Sequence, residues 1–456
     1  MIEKELLEKI NSKRAAEIFC ELYGEHEVDA ARLRYKTLIT EMLKSGPDGF
    51  PKSEKSNTSG NLRIFSAPGR TELAGNHTDH NRGKVLAASI QLDSVAVVLE
   101  RNDNTVFFRS AGFPDVKVKL TDSSGAPDLQ IKPEEKGTTE SLVRGIAAEL
   151  NRRGCAAGGF SANAASTVLP GSGLSSSAAV EVLLCSIFDS LYGKGKRGPL
   201  EIAQIGQITE NVYFGKPCGL MDQAACAMGG AVAIDFSNAA NPAMKQINFD
   251  LAAAGYVLCV VNTGGSHANL TANYASIPAE MKAAASFFGK SVLGELEKET
   301  VTAHAAEVRK SLGDRALLRS LHFFDENTRV DNMAAALERM ENTITTAEKR
   351  QALNFYLDMV NESGDSSWEL LQNVYSPDHP EIQGVSVALA LTKDFFRKQK
   401  LFGACRVHGG GFAGTIQAYI PLDAMDAYRT NIEAVFGAGS VTLLRIRPKG
   451  AIELAF

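Results

Sequence analysis

Val168–Leu184 reads VLPGSGLSSSAAVEVLL, and its two halves ask for different backbones. Pro170, Gly171, Ser172 and Gly173 form a short open loop whose amides can approach a polyphosphate closely, because glycine has no Cβ to hold a ligand away. Leu174, Ser175, Ser176 and Ser177 lead into an apolar run with helical patterning. A helix that starts there adds unsatisfied N–H groups and the positive end of its dipole, so the junction reads as an anion cradle. No Gly-Lys-Ser or Gly-Lys-Thr follows, which sets it apart from the P-loop of nucleotide triphosphatases. A plain turn capping a core helix would use the same residues, and this segment alone does not separate the two readings.

Downstream, EIAQIGQITENVY (201–213) has the period of a helix burying Ile202, Ile205, Ile208 and Val212. Glu210 falls on the stripe of Ala203 and Gly206, where small neighbours leave room for a ligand or a hard cation such as Mg²⁺. GKPCGLMDQAACAMGG (215–230) follows, with Gly219 free to take an unusual backbone angle and Asp222 at the start of a helix of small residues. Asp222 can accept or orient a hydroxyl proton, or be an ordinary acidic first-turn residue.

Upstream, SAPGRTELAGNHTDHNRGKVLAAS (66–89) gathers Arg70, Asn76, His77, Asp79 and His80 in a glycine-punctuated stretch. His77, Asp79 and His80 are possible metal ligands, but no further His or Cys group at ligand spacing completes a zinc site. Short polar groups on a loop suit a polyol better, each hydroxyl meeting one donor or acceptor. RVHGGGFAGTIQAYI (406–420) is a glycine-rich turn feeding a strand.

Around these segments, strand patterns at 63–67, 94–99, 105–108 and 116–120 precede helical patterns at 141–152, 178–192 and 200–213. AVAID, YVLCVVNT and TIQAYI read as later strands, with charged helical patterns between about 279 and 400. The mixture lacks regular β-α alternation, so the expected class is α+β. Residues 1–45 are helical in pattern, and SGPDGFPKSEKSNTSGN (45–61) reads as a linker. The expected organisation is an N-terminal helical extension and linker (1–60), an α+β domain (61–240) and a second α+β domain (241–456).

Composition narrows the class. The 456 residues are 44% hydrophobic and 22% charged, enough apolar material for packed cores. The formal charge of −5 is spread along the chain, with no basic face for nucleic acid or anionic lipid. No apolar run reaches the length of a membrane span, and MIEKELLEKI is unlike a signal peptide, so a cytoplasmic protein with small-molecule partners is expected. Nothing indicates an obligate protein partner. The seven cysteines include no Cys-x-x-Cys spacing and read as reduced thiols.

In this order, PGSGLSSSAA and HGGGFAGT resemble the phosphate motif and the C-terminal motif of the galactokinase, homoserine kinase, mevalonate kinase and phosphomevalonate kinase superfamily. Within it, PGRTELAGNHTDHNRGKVLAAS is similar to the galactokinase signature, usually Gly-Arg-x-Asn-Leu-Ile-Gly-Glu-His-Thr-Asp-Tyr, and GKPCGLMDQ adds to the likeness. The resemblance runs from about Leu62 onward. It implies a two-domain kinase fold, each domain a mixed or antiparallel sheet packed with helices, with the active site in the cleft between them. It implies ATP- and Mg²⁺-dependent phosphorylation of the anomeric hydroxyl of galactose.

By the same matching, Asp222 would be the base or orienting carboxylate, with Arg70 beside it. Ser177 and Glu210 would hold Mg²⁺, and Pro170, Gly171, Ser172, Gly173, Leu174, Ser175, Ser176 and Ser177 would bind ATP. Arg70, Asn76, His77, Asp79, Gly219, Asp222 and Tyr274 (in NLTANYASIP) would bind the sugar. Asn76 stands in place of the signature Glu and His80 in place of the Tyr, which bears on the choice of sugar. The alternatives are a kinase for N-acetylgalactosamine or arabinose, and a non-catalytic galactose- and ATP-binding regulator. Intact Asp222, Arg70, Ser177 and Glu210 speak against the regulator.

Overall fold

A computed structural model describes residues 2–44, 58–156, 158–168, 173–265 and 270–456. Pro170, Gly171 and Ser172 of the expected ATP loop, and residues 45–57 of the expected linker, lie outside the described residues. Helices α1 (Ile2–Ile10), α2 (Lys13–Tyr23) and α3 (Val28–Lys44) precede the long strands β1 (Thr58–Ala74) and β2 (Lys84–Arg101). Then come β3 (Thr105–Ser110), β4 (Val116–Lys119), α4 (Thr139–Arg152), β5 (Phe160–Ser166), α5 (Ser176–Tyr192), α6 (Pro199–Ile208) and α7 (Met221–Met228). β6 (Ala231–Asp235), β7 (Ala243–Ile247) and β8 (Tyr256–Asn262) lead to the helices α8 (Thr271–Phe287), α9 (Lys298–Ala303), α10 (Ala305–Leu312), α11 (Asp314–Asn342), α12 (Thr346–Ser366) and α13 (Gly384–Gln399). β9 (Ala404–His408), β10 (Thr415–Pro421), α14 (Met425–Phe436), β11 (Val441–Leu444) and β12 (Ile452–Glu453) complete the order.

The strands form two sheets. The first runs β12–β1–β2–β5–β3–β4, with β6 on the other half of β2 and β7 beside β6. It is mixed, because β3 and β5 are parallel while its other pairs are antiparallel. The second is antiparallel throughout, in the order β11–β8–β10–β9. This is the expected α+β class. The first sheet extends to Ile247, past the expected division at 240, and β12 returns to it from the far end of the sequence.

Strand alternation explains why the middle of β2 is a nearly unbroken apolar run. Phe65, Ala67, Ala96 and Val98 point into a core with α4 and α5, through Val143, Ile146 and Leu183. Their neighbours Ile64, Val95 and Val97 point the other way, onto Phe19, Leu22, Leu38 and Ile39 of the N-terminal helices. A sheet covered on both faces has no use for polar positions. The extension is thus a packed layer of the first sheet. Between the sheets, Leu73 and Leu86 share a core with Leu258 of β8, Val330 of α11 and Tyr356 of α12. Among the described residues, no helix is long and apolar enough to cross a membrane.

Candidate active site

Two register shifts in the β1–β2 ladder, between Pro68 and Arg70 and between Glu72 and Ala74, bracket the centre of the site. Irregularities of this kind re-aim side chains. Arg70 is buried and donates through Nε (2.8 Å) and Nη2 (2.7 Å) to Asp222 Oδ1, at the first turn of α7. Its backbone N–H donates to the carbonyl of Leu174 at 3.1 Å, and Nη1 donates to the carbonyl of Gly173. Burial works against the Arg70 charge, but the attraction of Asp222 outweighs it and holds the guanidinium above its ordinary pKa. The Asp222 side chain keeps 33% of its surface exposed, so the pair opens toward solvent on the carboxylate side.

Ser175, Ser176 and Ser177 form the start of α5, as the sequence implies. Ser177 Oγ lies 3.3 Å from Glu210 Oε1. Glu210 sits on a π-helical turn, Thr209–Phe214, that continues α6. This corrects the expectation of one regular helix from 201 to 213. The wider turn shifts the stripe, turning Thr209, Glu210 and Tyr213 inward and leaving Val212 48% exposed. Gln223 Nε2 donates to Glu210 Oε2 (3.0 Å) and to Glu181 Oε2 (2.9 Å), while Lys216 Nζ is 2.9 Å from Glu210 Oε1. Burial first, and repulsion from Glu210 second, push the Glu181 carboxyl well above the usual range. Ser177 and Glu210 are hard oxygen donors side by side, a donor set that fits Mg²⁺, which takes one or two protein oxygens and fills its shell with phosphate and water.

The glycine turn after β9 is gripped through its carbonyls. His77 Nε2–H donates to Gly410 O at 2.9 Å, and the Tyr274 hydroxyl donates to Gly411 O at 3.0 Å. Burial pushes the His77 pKa down to about 4, so its ring is neutral and Nδ1 is left as an acceptor. A Cβ at Gly410 would fall 2.5 Å from Tyr274 Cε1, so glycine is required by the ring's close approach. The expectation for Gly219 is corrected in the same way. It has no left-handed φ, but a Cβ there would fall 2.2 Å from Asp79 Oδ2. Gly219 and Asp79, separate in sequence, are therefore in contact. His80 is exposed beside Asp79, and its backbone N–H donates to Asp79 Oδ1 at 2.9 Å.

Asn76 departs from the expectation of a sugar-facing amide. It is buried, and its Nδ2 donates to Glu72 Oε1 (3.0 Å) and Gly409 O (2.6 Å), while its Oδ1 accepts from Asn373 Nδ2 (2.6 Å). The reason is Glu72, whose carboxylate is paired at 2.8 Å with the fully buried Arg406. A buried ion pair draws in every available donor, and Asn76 supplies one. His408 joins the same core, its Nε2 3.0 Å from Thr71 Oγ1 and its Nδ1 3.0 Å from Thr415 Oγ1. From α11, Glu326 Oε1 accepts from the Gly75 N–H at 3.0 Å, and His322 Nε2 donates to the Asn76 carbonyl at 2.9 Å.

Three of the four glycine-rich segments, 66–89, 168–184 and 215–230, thus meet around Arg70 and Asp222. Sequence reasoning missed Glu72, Glu181, Lys216, Gln223, Glu326, Asn373 and Arg406. Glu72, Glu181, Lys216, Gln223 and Arg406 lie inside segments already singled out, whereas Glu326 and Asn373 lie outside all of them and carried no local signal.

Comparison with known proteins follows the same segments. Residues 53–99 match the galactokinase galactose-binding signature and residues 141–230 match the GHMP kinases N terminal domain. A galactokinase of Streptomyces coelicolor is 31% identical over 385 residues, which is 84% of this chain and 91% of the relative. Among solved structures, a Lactococcus lactis galactokinase complexed with galactose aligns with a TM-score of 0.71 at 25% identity, covering 91% of this chain and 99% of that one. A Methanococcus jannaschii mevalonate kinase shares the fold, with a TM-score of 0.56 at 13% identity over 87% of this chain and 99% of that one.

Proposed function

Because the chain belongs to the galactokinase family, we propose that it is a cytoplasmic enzyme transferring the γ-phosphoryl group of ATP to the anomeric hydroxyl of galactose, giving α-galactose 1-phosphate and ADP. The observation that carries this reading is the Arg70–Asp222 pair, closed at 2.7 Å where the three glycine-rich segments meet.

In this reading Asp222 orients the anomeric O–H and takes its proton as the oxygen attacks the γ-phosphorus. The new O–P bond forms as the bond to ADP breaks, and the proton later leaves to water. Arg70 keeps Asp222 in place and sets a fixed positive charge beside the transferred group, the kind of preorganised electrostatics that phosphoryl transfer relies on. The segment Pro170 to Ser177 would wrap the phosphates, with the first turn of α5 supplying N–H groups. Ser177 and Glu210 would hold Mg²⁺, whose chemistry is to neutralise charge on the β- and γ-phosphates. His77, Asp79, Gly219 and Tyr274 would line the sugar side, Asp79 as acceptor and His77 through Nδ1. Asn76 acts at one remove, through the Gly409 carbonyl and Glu72. Sugar and nucleotide would then meet between residues 61–240 and 241–456.

An ATP-consumption assay over a panel of galactose, N-acetylgalactosamine, arabinose and glucose tests the reading. The expected result is Mg²⁺-dependent turnover with the highest kcat/KM for galactose. Turnover of another sugar at higher kcat/KM would reassign the substrate, and none at all with correctly folded protein would favour a binding-only role.

A further inference from the structure

Ser175 stands at the N-cap of α5, yet its hydroxyl does not cap the helix. It donates instead to Asp222 Oδ2 at 2.5 Å. To reach it the residue holds φ 60° and ψ 58°, left-handed values that glycine and asparagine enter more readily than serine. Two ordinary preferences of a serine at a helix start, the capping hydrogen bond and a β-region backbone, are both given up for this one contact. Strained backbone that persists in a structure tends to mark a functional site.

The contact completes a division of labour on Asp222. Oδ1 receives both Nε and Nη2 of Arg70, and Oδ2 receives Ser175. A carboxylate oxygen has about two lone-pair directions, so one direction on Oδ2 is left for a second donor. We infer that Ser175 is a positioning residue for Asp222: its hydroxyl fixes which lone pair of Oδ2 meets the substrate hydroxyl, and through its backbone it ties the base to the start of the phosphate-binding helix. This rests on the sugar-kinase reading above. The proton that moves is the substrate's, to the free lone pair of Oδ2, while Ser175 keeps its own.

The test is Ser175→Gly, which suits the left-handed backbone and removes only the side chain. Loss of a hydrogen bond to a charged group predicts a fall in kcat of about 10- to 100-fold, with KM for galactose and for ATP each within about threefold of wild type. Ser175→Asn, tolerant of the same backbone and able to donate an N–H, should recover part of the loss. In an Asp222→Asn background, Ser175→Gly should change kcat by less than about twofold, because the effect runs through Asp222. A raised ATP KM at unchanged kcat, or a full kcat loss that persists in Asp222→Asn, would overturn the inference in favour of a loop-shaping serine. Wild type, Ser175→Gly, Asp222→Asn and the double variant compared by urea unfolding need no substrate: coupled residues give non-additive stability changes, and strict additivity rejects the contact. Should wild type leave galactose untouched, the substrate reading fails while the unfolding cycle still decides the role of Ser175.

Discussion

Replacing Glu326 by glutamine removes one charge from the buried network beneath the signature loop and leaves its shape. Glu326 is fully buried on α11, accepting from the Gly75 N–H (3.0 Å), the Ser363 hydroxyl (2.6 Å) and Arg329 Nε (2.7 Å). Burial opposes its charge, but Arg329, then His322, Arg406 and the Ser363 hydroxyl outweigh that, drawing the carboxyl from 4.5 down to about 2. At about 1.4 kcal/mol per pH unit, that separation is worth about 3 kcal/mol to the folded state. Because the folded value is the depressed one, the stabilisation is complete above pH 4.5 and is lost as pH falls through about 2. Urea unfolding at pH 7 should therefore place Glu326→Gln about 3 kcal/mol below wild type, and at pH 3 only about 1 kcal/mol below it. The narrowing distinguishes lost charge from lost packing. A difference that stays constant between pH 7 and pH 3, or one under about 1 kcal/mol at pH 7, would refute the assignment of Glu326 as a charged anchor for Gly75.

Three further outcomes are expected. Asp222→Asn should fold and bind ATP normally while kcat drops by about 10²- to 10⁴-fold; near-normal turnover in a folded variant excludes Asp222 as base. Ser177→Ala and Glu210→Gln should each raise the Mg²⁺ concentration for half-maximal rate far more than the galactose KM, and an unchanged Mg²⁺ titration in both shows that the metal is held elsewhere. Gly219→Ala puts a methyl 2.2 Å from Asp79 Oδ2, so kcat/KM for galactose should fall by about 10- to 100-fold with the ATP KM little changed; a neutral effect there would detach Asp79 from the sugar.

What could be read from the sequence follows the range of the interactions. The loop-to-helix junction at 168–184 announces itself because its glycines and serines are neighbours, and α5 begins at Ser176 as that reading requires. Ile64 and Phe65, or Val97 and Val98, show as strand, but not which of them faces the N-terminal helices, since a doubly covered sheet has no polar face to report. Glu72 was illegible for a different reason. It is a lone acid in a strand, and its partner Arg406 lies 334 residues away. Without that partner in view, Asn76 looks like a ligand contact, whereas in the structure it serves the ion pair. The glycine at 219 was recognised, but its cause, contact with Asp79, is a tertiary one that no local pattern encodes.

The pairing of β12 with β1 sets Phe65 opposite Glu453, reinforced by Arg63 Nε to Glu453 Oε1 at 2.6 Å across 390 residues of chain. Arg447 likewise reaches Asp93 at 3.0 Å across 354. During vectorial synthesis the first sheet must therefore wait, one edge open and one buried carboxylate short of a partner, until nearly all of this sequence has emerged. Contacts of such long sequence separation slow folding and prolong the exposure of strand edges. The strand that carries Arg70 is thus among the earliest to be made and among the last to be locked, so the half-made chain holds Arg70 on an unfinished sheet.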